Sequence, residues 1–479
     1  MKRFKGLKAV IRSKNFAFSI VLLGSFMSAL DASVVNIALP SISKYFGAGL
    51  TQIQWVITIY GLGIVSLLPV GSKLGNMLGQ NKVYSMGYMF FGAGSLFCAM
   101  SQTLPTLIVA RFVQSIGAAM MFALAQGVIA AIFTGVKRGQ SLGMIGACVA
   151  LGSITGPSLG GILLDTLGWQ SIFYINLPIA VLGATAAYHS LPKVKRKKLG
   201  KINLTSLLFF IVASASFITA ISLAENAGWA SPHILAMIGV SALFGFLLFK
   251  YERASKSPLI NLNLYATNKV FAYGNAAMLL VFVAGSINAI LIPFYLQDIY
   301  GLSAFKTGML ILFYSVSLVV VAPLSGRLSA KTNSSRAFTV GAMGLTIIGM
   351  LWYMTLGPEY HQYKIILGQL ILGIGNGMFQ SPNNNSVMSA VQRKYYNDVS
   401  GLNALSRNIG IAVGVCLTVN IFSSLQKFFE HGGAQHAQAF SSAYHLTLVF
   451  GIIMALCAAV LSYYGKEPKL IKNYDDLKI

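Results

Sequence analysis

The stretch Ser25–Pro40, SFMSALDASVVNIALP, holds a single carboxylate, Asp31, inside a run of apolar helix formers. Ser25, Ser28 and Asp31 fall on one face at helical spacing, giving the run a polar stripe. An acid so placed can take up and release a proton, or hold a cation. Burial favours its neutral form and a nearby positive charge its ionised form, so a change of surroundings moves it between the two. The positive charge at hand is Arg111, in RFVQSIGAA. Both residues lie in runs long enough to cross a bilayer. If the first run starts near Phe16, Asp31 is about 22 Å in and about 8 Å from the outer face. Arg111, in a run of opposite direction that starts near Thr106, is also about 8 Å from that face. The depths coincide, which predicts that Asp31 and Arg111 share a buried cavity and couple protons to cargo. A fixed structural ion pair is the alternative reading.

The elements that must hold this pair are set by composition. Of 479 residues, 56% are hydrophobic and only 10% charged, more apolar surface than a water-soluble exterior accommodates. Apolar runs of about 20 residues, enough to span the hydrocarbon, start at fourteen places between Phe16 and Tyr444. Both termini then lie on one side. About 29 of the 35 Lys and Arg residues collect on that side, Lys193–Lys198 (KVKRKK) among them, which makes it cytoplasmic. The net charge of +24 is thus a topology signal and does not mark a nucleic-acid surface. The apolar run after the basic N-terminus has no small-x-small cleavage site and reads as a retained span. Cys98, Cys148, Cys416 and Cys457 lie in spans without ligand spacing, and the six histidines are dispersed. No metal, cofactor or enzyme motif emerges.

The chain repeats itself. SKLGNMLGQNKVYSMG (Ser72–Gly87) aligns without gaps on GRLSAKTNSSRAFTVG (Gly326–Gly341), matching Lys73 to Arg327, Leu74 to Leu328, Lys82 to Arg336 and Gly87 to Gly341. The same offset carries the first span onto the ninth. The expected organisation is an N-terminal six-helix bundle (1–192), two inserted helices (193–268) and a C-terminal six-helix bundle with a cytoplasmic tail (269–479). Repeats of this kind line a midplane cavity in rocking secondary transporters.

Several motifs resemble one family. LGSITGPSLGG (Leu151–Gly161) matches the G-x-x-x-G-P-x-x-G-G pattern of span five in major facilitator superfamily antiporters, through Gly152, Gly156, Pro157, Gly160 and Gly161. LDASVVNIALP, RFVQSIGAA, GWQSIFYINLP (Gly168–Pro178) and GLNALSRNIGIAVG (Gly401–Gly414) resemble spans one, four, six and thirteen of its fourteen-helix drug:proton antiporters. The resemblance implies an all-α integral membrane protein of the major facilitator fold in a bacterial plasma membrane. Its implied activity is multidrug efflux by a monomer, conferring antibiotic resistance, with the proton gradient as energy source and no cofactor. Small amphipathic compounds, cationic and neutral, would be its cargo. The glycines at every fourth position give a smooth stripe for close helix approach, and Pro157 removes a backbone donor and loosens the helix.

For the cargo cavity, the residues singled out are Tyr60, Gln114, Phe122, Tyr295 and Phe379, with Asn383 and Asn384 of the SPNNN run. Amides at membrane depth should face protein or a cavity. The cytoplasmic gate is expected around Lys73, Asn76 and Gly79. There the sequence departs from the family pattern G-x-L-a-D-R-x-G-R-K: Asn76 replaces the acid, Met77 and Gln80 the arginines, and the second copy carries Ala330. This departure keeps open a dedicated exporter or flippase of a lipid or metabolite on the same scaffold. A non-transporting membrane sensor is the alternative of another class.

Overall fold

A computed structural model describes residues 13–465 apart from 49, 54, 193–202, 229, 256–257, 303 and 358. The first basic residues, the run Lys193–Lys198 and the tail acids Glu467, Asp475 and Asp476 lie outside the described residues. Among those described there is no strand. The long helices are α1 (Lys14–Phe46), α2 (Trp55–Leu78), α3 (Gln80–Ala99), α4 (Leu104–Ile132), α5 (Gly135–Leu167), α6 (Asn176–Ser190) and α7 (Leu204–Ala227). They continue with α8 (Pro232–Ala254), α9 (Lys269–Phe294), α10 (Ala304–Thr332), α11 (Ser335–Tyr353), α12 (Gln362–Ser389), α13 (Tyr396–His431) and α14 (His436–Tyr464).

Local chemistry sets their ends. Ser13 caps α1 by accepting from the Phe16 N–H, and Gly47 closes it at φ +60°, a conformation that glycine takes without strain. Thr103 and Thr106 form a reciprocal capping box at the start of α4. Eleven helices are long and apolar enough to cross a membrane among the described residues. The other long helices, α3, α5 and α12, carry more Gly, Ser, Asn and Gln, the composition of helices that face protein.

Helices α1–α6 pack among themselves, as do α9–α14. The α7–α8 pair leans on both groups through α7, which touches α2 and α13, with Ser66 and Ser214 hydroxyls 3.1 Å apart. The apolar clusters show how the two groups meet. One cluster draws on both, including Leu124, Val128, Leu142, Met388, Val391 and Leu402. It occupies the end of the bundle where Lys73, Lys82, Arg138, Arg336 and Arg393 lie, here called the basic end. Toward the opposite end the cores are separate: Leu30, Val34, Trp169 and Phe173 belong to the first group, and Ile287, Leu291, Tyr353 and Tyr444 to the second. The groups share one apolar cluster at the basic end, and their apolar cores are separate toward the other.

Glycine makes that junction close. A Cβ at Gly143 of α5 would lie 2.7 Å from the Ala322 carbonyl carbon of α10 and 2.8 Å from Ser381 Oγ of α12. Gly139 and Gly326 face each other backbone to backbone in the same crossing. Ser381, fully buried, donates to the Gly139 carbonyl at 2.7 Å.

Candidate functional site

Five helices converge on Asp31. From α4, Arg111 Nη1 donates to Asp31 Oδ2 at 2.6 Å and to Gln114 Oε1 at 2.6 Å. Gln114 Nε2 donates to Asp31 Oδ1 at 2.8 Å and to Ser95 Oγ of α3 at 2.8 Å. From α6, Asn176 Nδ2 donates to Asp31 Oδ1 at 2.9 Å. From α2, the Val56 carbonyl accepts Arg111 Nε at 3.2 Å, and the Tyr60 ring lies 4.2 Å from the guanidinium carbon. The ion-paired side chains are 1% and 0% exposed. Removing two charges from water costs several kcal/mol per ion. Bonds from Arg111, Gln114 and Asn176 offset it here, because hydrogen bonds to ionised groups are roughly twice as strong as neutral ones.

The two residues that helical rise puts at one depth meet, as a sealed ion pair where a shared cavity was expected. Asn176 and Ser95 are additional partners; the signal for Asn176 is a lone amide in GWQSIFYINLP. Ser25 and Ser28 do not open the stripe to a cavity. Both are buried and donate to the carbonyls of Val21 and Gly24 in their own helix. Tyr60 and Gln114, expected as cavity walls, are parts of the ion-pair shell in this conformation, and the Tyr60 hydroxyl is buried without a partner among the described residues.

The Gly152–Gly156–Gly160 stripe packs on α1, the helix that carries Asp31. A Cβ at Gly152 would meet the Phe26 carbonyl at 2.7 Å, one at Gly156 the Ser33 Cβ at 2.5 Å, and one at Gly160 the Val34 side chain at 2.9 Å. Ser33 Oγ, on α1, donates to the Ser153 carbonyl beside it at 2.8 Å. Gly161 faces open space. Pro157 lies inside α5, which runs unbroken to Leu167.

Three of the residues expected in the cavity, Tyr295, Phe379 and Asn383, pack within the second group in this conformation. Tyr295 is fully buried at the far end of α9, where the chain passes Pro293 into a π-helical turn, Tyr295–Ile299, and packs on Phe440, Tyr444 and Tyr300. Its hydroxyl donates to the Gly357 carbonyl at 3.2 Å. Phe379 is fully buried among Ala277, Met278, Met343 and Ala458, because that face of α12 turns toward α9, α11 and α14. Asn383 also points that way and donates to the Gly274 carbonyl at 3.2 Å. Asn384 does reach the junction of the groups: Asn403 Nδ2 of α13 donates to its Oδ1 at 2.7 Å and to Gln126 Oε1 of α4 at 2.6 Å. Above this amide bridge, half-buried Phe122 faces the Arg407 guanidinium carbon at 5.3 Å.

At the basic end the acid missing from the α2–α3 turn comes from the other group. Asp398, in the first turn of α13, accepts from Asn76 Nδ2 at 2.5 Å, and Asn397 Nδ2 donates to Asn76 Oδ1 at 2.9 Å. Ser72 Oγ donates to the Asn397 carbonyl at 2.8 Å, and Gln80 Nε2 to Asn397 Oδ1. An acid in a first helical turn is favoured by the helix dipole, so Asp398 is well placed as acceptor. Gly79, at φ +97°, makes the turn into α3. Lys73 Nζ donates to the Pro258 carbonyl at 2.8 Å, tying α2 to the segment that follows α8. Arg138 of α5 donates to Asn385 at 3.0 Å and to Ser389 on α12.

A family model described as Major Facilitator Superfamily matches residues 21–415. The riboflavin transporter RibZ of Clostridioides difficile is 32% identical over 432 residues, covering 88% of this chain and 92% of that protein. The multidrug resistance protein Stp of Mycobacterium tuberculosis is 29% identical over 404 residues, covering 84% and 74%. Among solved structures, the proton:xylose symporter XylE shares the fold, with a TM-score of 0.65 at 14% identity over 95% of this chain and 96% of that one.

Proposed function

Because the chain belongs to the Major Facilitator Superfamily, a family of multi-pass membrane transporters and not enzymes, we propose that it exports small amphipathic compounds in exchange for protons. The observation that carries this reading is the sealed Asp31–Arg111 pair, built into a half that joins its partner at one end only. All fourteen long helices are read as spans, in two six-helix bundles flanking the inserted α7–α8 pair. The excess of Lys and Arg on one side supports a cytoplasmic basic end and cytoplasmic termini. The bacterial origin of the relatives named above supports a bacterial plasma membrane. The protein acts as a monomer, without a cofactor.

On this orientation we read the conformation as outward-facing, with Asp31 paired to Arg111. When the pair opens transiently toward the outer side, a proton makes Asp31 a neutral acid and weakens its bond to Arg111, which loosens α1 from α4. The stripe of α5 glycines moves with α1, and α5 also carries Gly139 and Gly143 of the basic-end crossing. Neutralising Asp31 is thereby linked to parting the basic end, where the proton leaves and cargo enters. Each proton moving inward contributes about 2.3 kcal/mol per 100 mV of membrane potential. Direct competition of a cation with the proton at Asp31 is not needed, and the sealed pair leaves a cation no approach in this state.

The test is uptake into everted vesicles energised by respiration. Accumulation of an amphipathic dye that collapses on adding a protonophore is the expected result; uptake that survives the protonophore contradicts proton coupling. A dedicated metabolite exporter is the second reading, favoured by the RibZ relationship. Including riboflavin in the same assay decides it: transport of riboflavin and of no dye replaces the multidrug reading.

A further inference from the structure

Arg407 is a cation at membrane depth that the ion-pair site does not use. It lies eleven residues into α13, about 17 Å from the basic end, and Phe122 lies about 15 Å from the same end of α4. Both positions are near the middle of a hydrocarbon core of about 30 Å. The guanidinium meets the Phe122 ring and donates to no protein acceptor among the described residues. Among those residues the only ion pair inside the membrane is Asp31–Arg111, so no carboxylate neutralises Arg407. A desolvated, unpaired charge is prohibitively costly. Arg407 is half-buried where the two groups face each other, so an anionic group placed beside it would meet an unmatched charge. One turn toward the basic end, Asn403 bridges Gln126 and Asn384 and closes the floor. Asn403 Oδ1 is buried there with no partner of its own among the described residues.

This geometry points to a cargo site at Arg407 and Phe122 for flat aromatic compounds that carry a carboxylate or another anionic acceptor group. The inference rests on the export reading and deepens it by replacing cationic cargo with anionic. A planar guanidinium offers paired N–H donors matched to a carboxylate, and the Phe122 ring offers a surface for stacking. A cationic compound meets an unneutralised Arg407 and, with Asp31 sealed behind Arg111, no acid in exchange.

The experiment measures equilibrium binding of two xanthene dyes of matched size, a carboxylated anionic one and an esterified cationic one, to the purified full chain by fluorescence polarisation. The wild type should bind the anionic dye at least about tenfold more tightly, the scale of one hydrogen bond to a charged group. Arg407→Gln should remove that preference, Arg407→Lys should keep part of it, and Phe122→Ala should weaken both dyes. Removing a poorly solvated charge should leave the melting temperature of Arg407→Gln at or above the wild-type value, so lost binding is not lost folding. Equal or tighter binding of the cationic dye by the wild type overturns the inference, as does unchanged anionic affinity in a folded Arg407→Gln. Binding needs no gradient. A preserved dye preference together with transport insensitive to protonophore would sink the proton-coupled reading and leave this site standing.

Discussion

Arg111→Gln alone is expected to destabilise the protein by about 3–5 kcal/mol, because it leaves the Asp31 carboxylate sealed with its counter-charge gone. Gln114 and Asn176 still donate to Asp31, but neither carries charge. Against a total stability of about 5–15 kcal/mol, a loss of that size should lower the yield of monodisperse protein and the melting temperature sharply. Asp31→Asn combined with Arg111→Gln should recover most of the loss, since two amides can keep a hydrogen bond across α1 and α4 without a buried charge. The double variant should fold and still fail to transport. Melting curves of the two single variants and the double variant check this. Additive losses in the double variant would mean that the two groups are not energetically coupled.

The second large effect is at the basic-end crossing. Gly143→Leu places a side chain where the Ala322 backbone and Ser381 already lie within 3 Å. The closed basic end cannot accommodate it, while a conformation with α5 and α10 apart can. Transport should be abolished in a protein that remains folded and is held open to the cytoplasm. A cysteine introduced by Ser381→Cys in a cysteine-free background reads the change. Position 381 is fully buried here, so labelling by a membrane-impermeant thiol reagent from the basic end should be slow in the parent and fast with Gly143→Leu. Asp398→Ala removes the contacts with Asn76 and Ser72 among others and should give intermediate labelling. Equal labelling in all three would show that this crossing does not govern access.

How far these features could be read from sequence depended on what a one-dimensional pattern encodes. Depth was legible, because helical rise is constant: counting residues from the span ends brings Asp31 and Arg111 to one level, and they touch. Close approach was partly legible, since glycines at every fourth residue from Gly152 to Gly160 require a near neighbour; that the neighbour is α1 was not. Rotation about the helix axis was hidden. Helices α9 and α12 carry no polar stripe strong enough to say which face looks inward, so Tyr295 and Phe379 read as cavity walls and proved to be core. The acid of the basic-end latch was also hidden. The repeat directs attention to position 76, where it is absent, and nothing local to Asp398 signals that it faces Asn76 across the junction.

The central claim is that the Asp31–Arg111 pair opens and closes with proton movement. The most direct measurement is the pH change when a transported dye is added to purified protein in weakly buffered detergent, for the wild type and for Asp31→Asn with dye binding verified. The wild type should release protons on binding cargo, and Asp31→Asn should bind the dye and release none. Undiminished release from Asp31→Asn would contradict the account and leave the pair as a fixed strut.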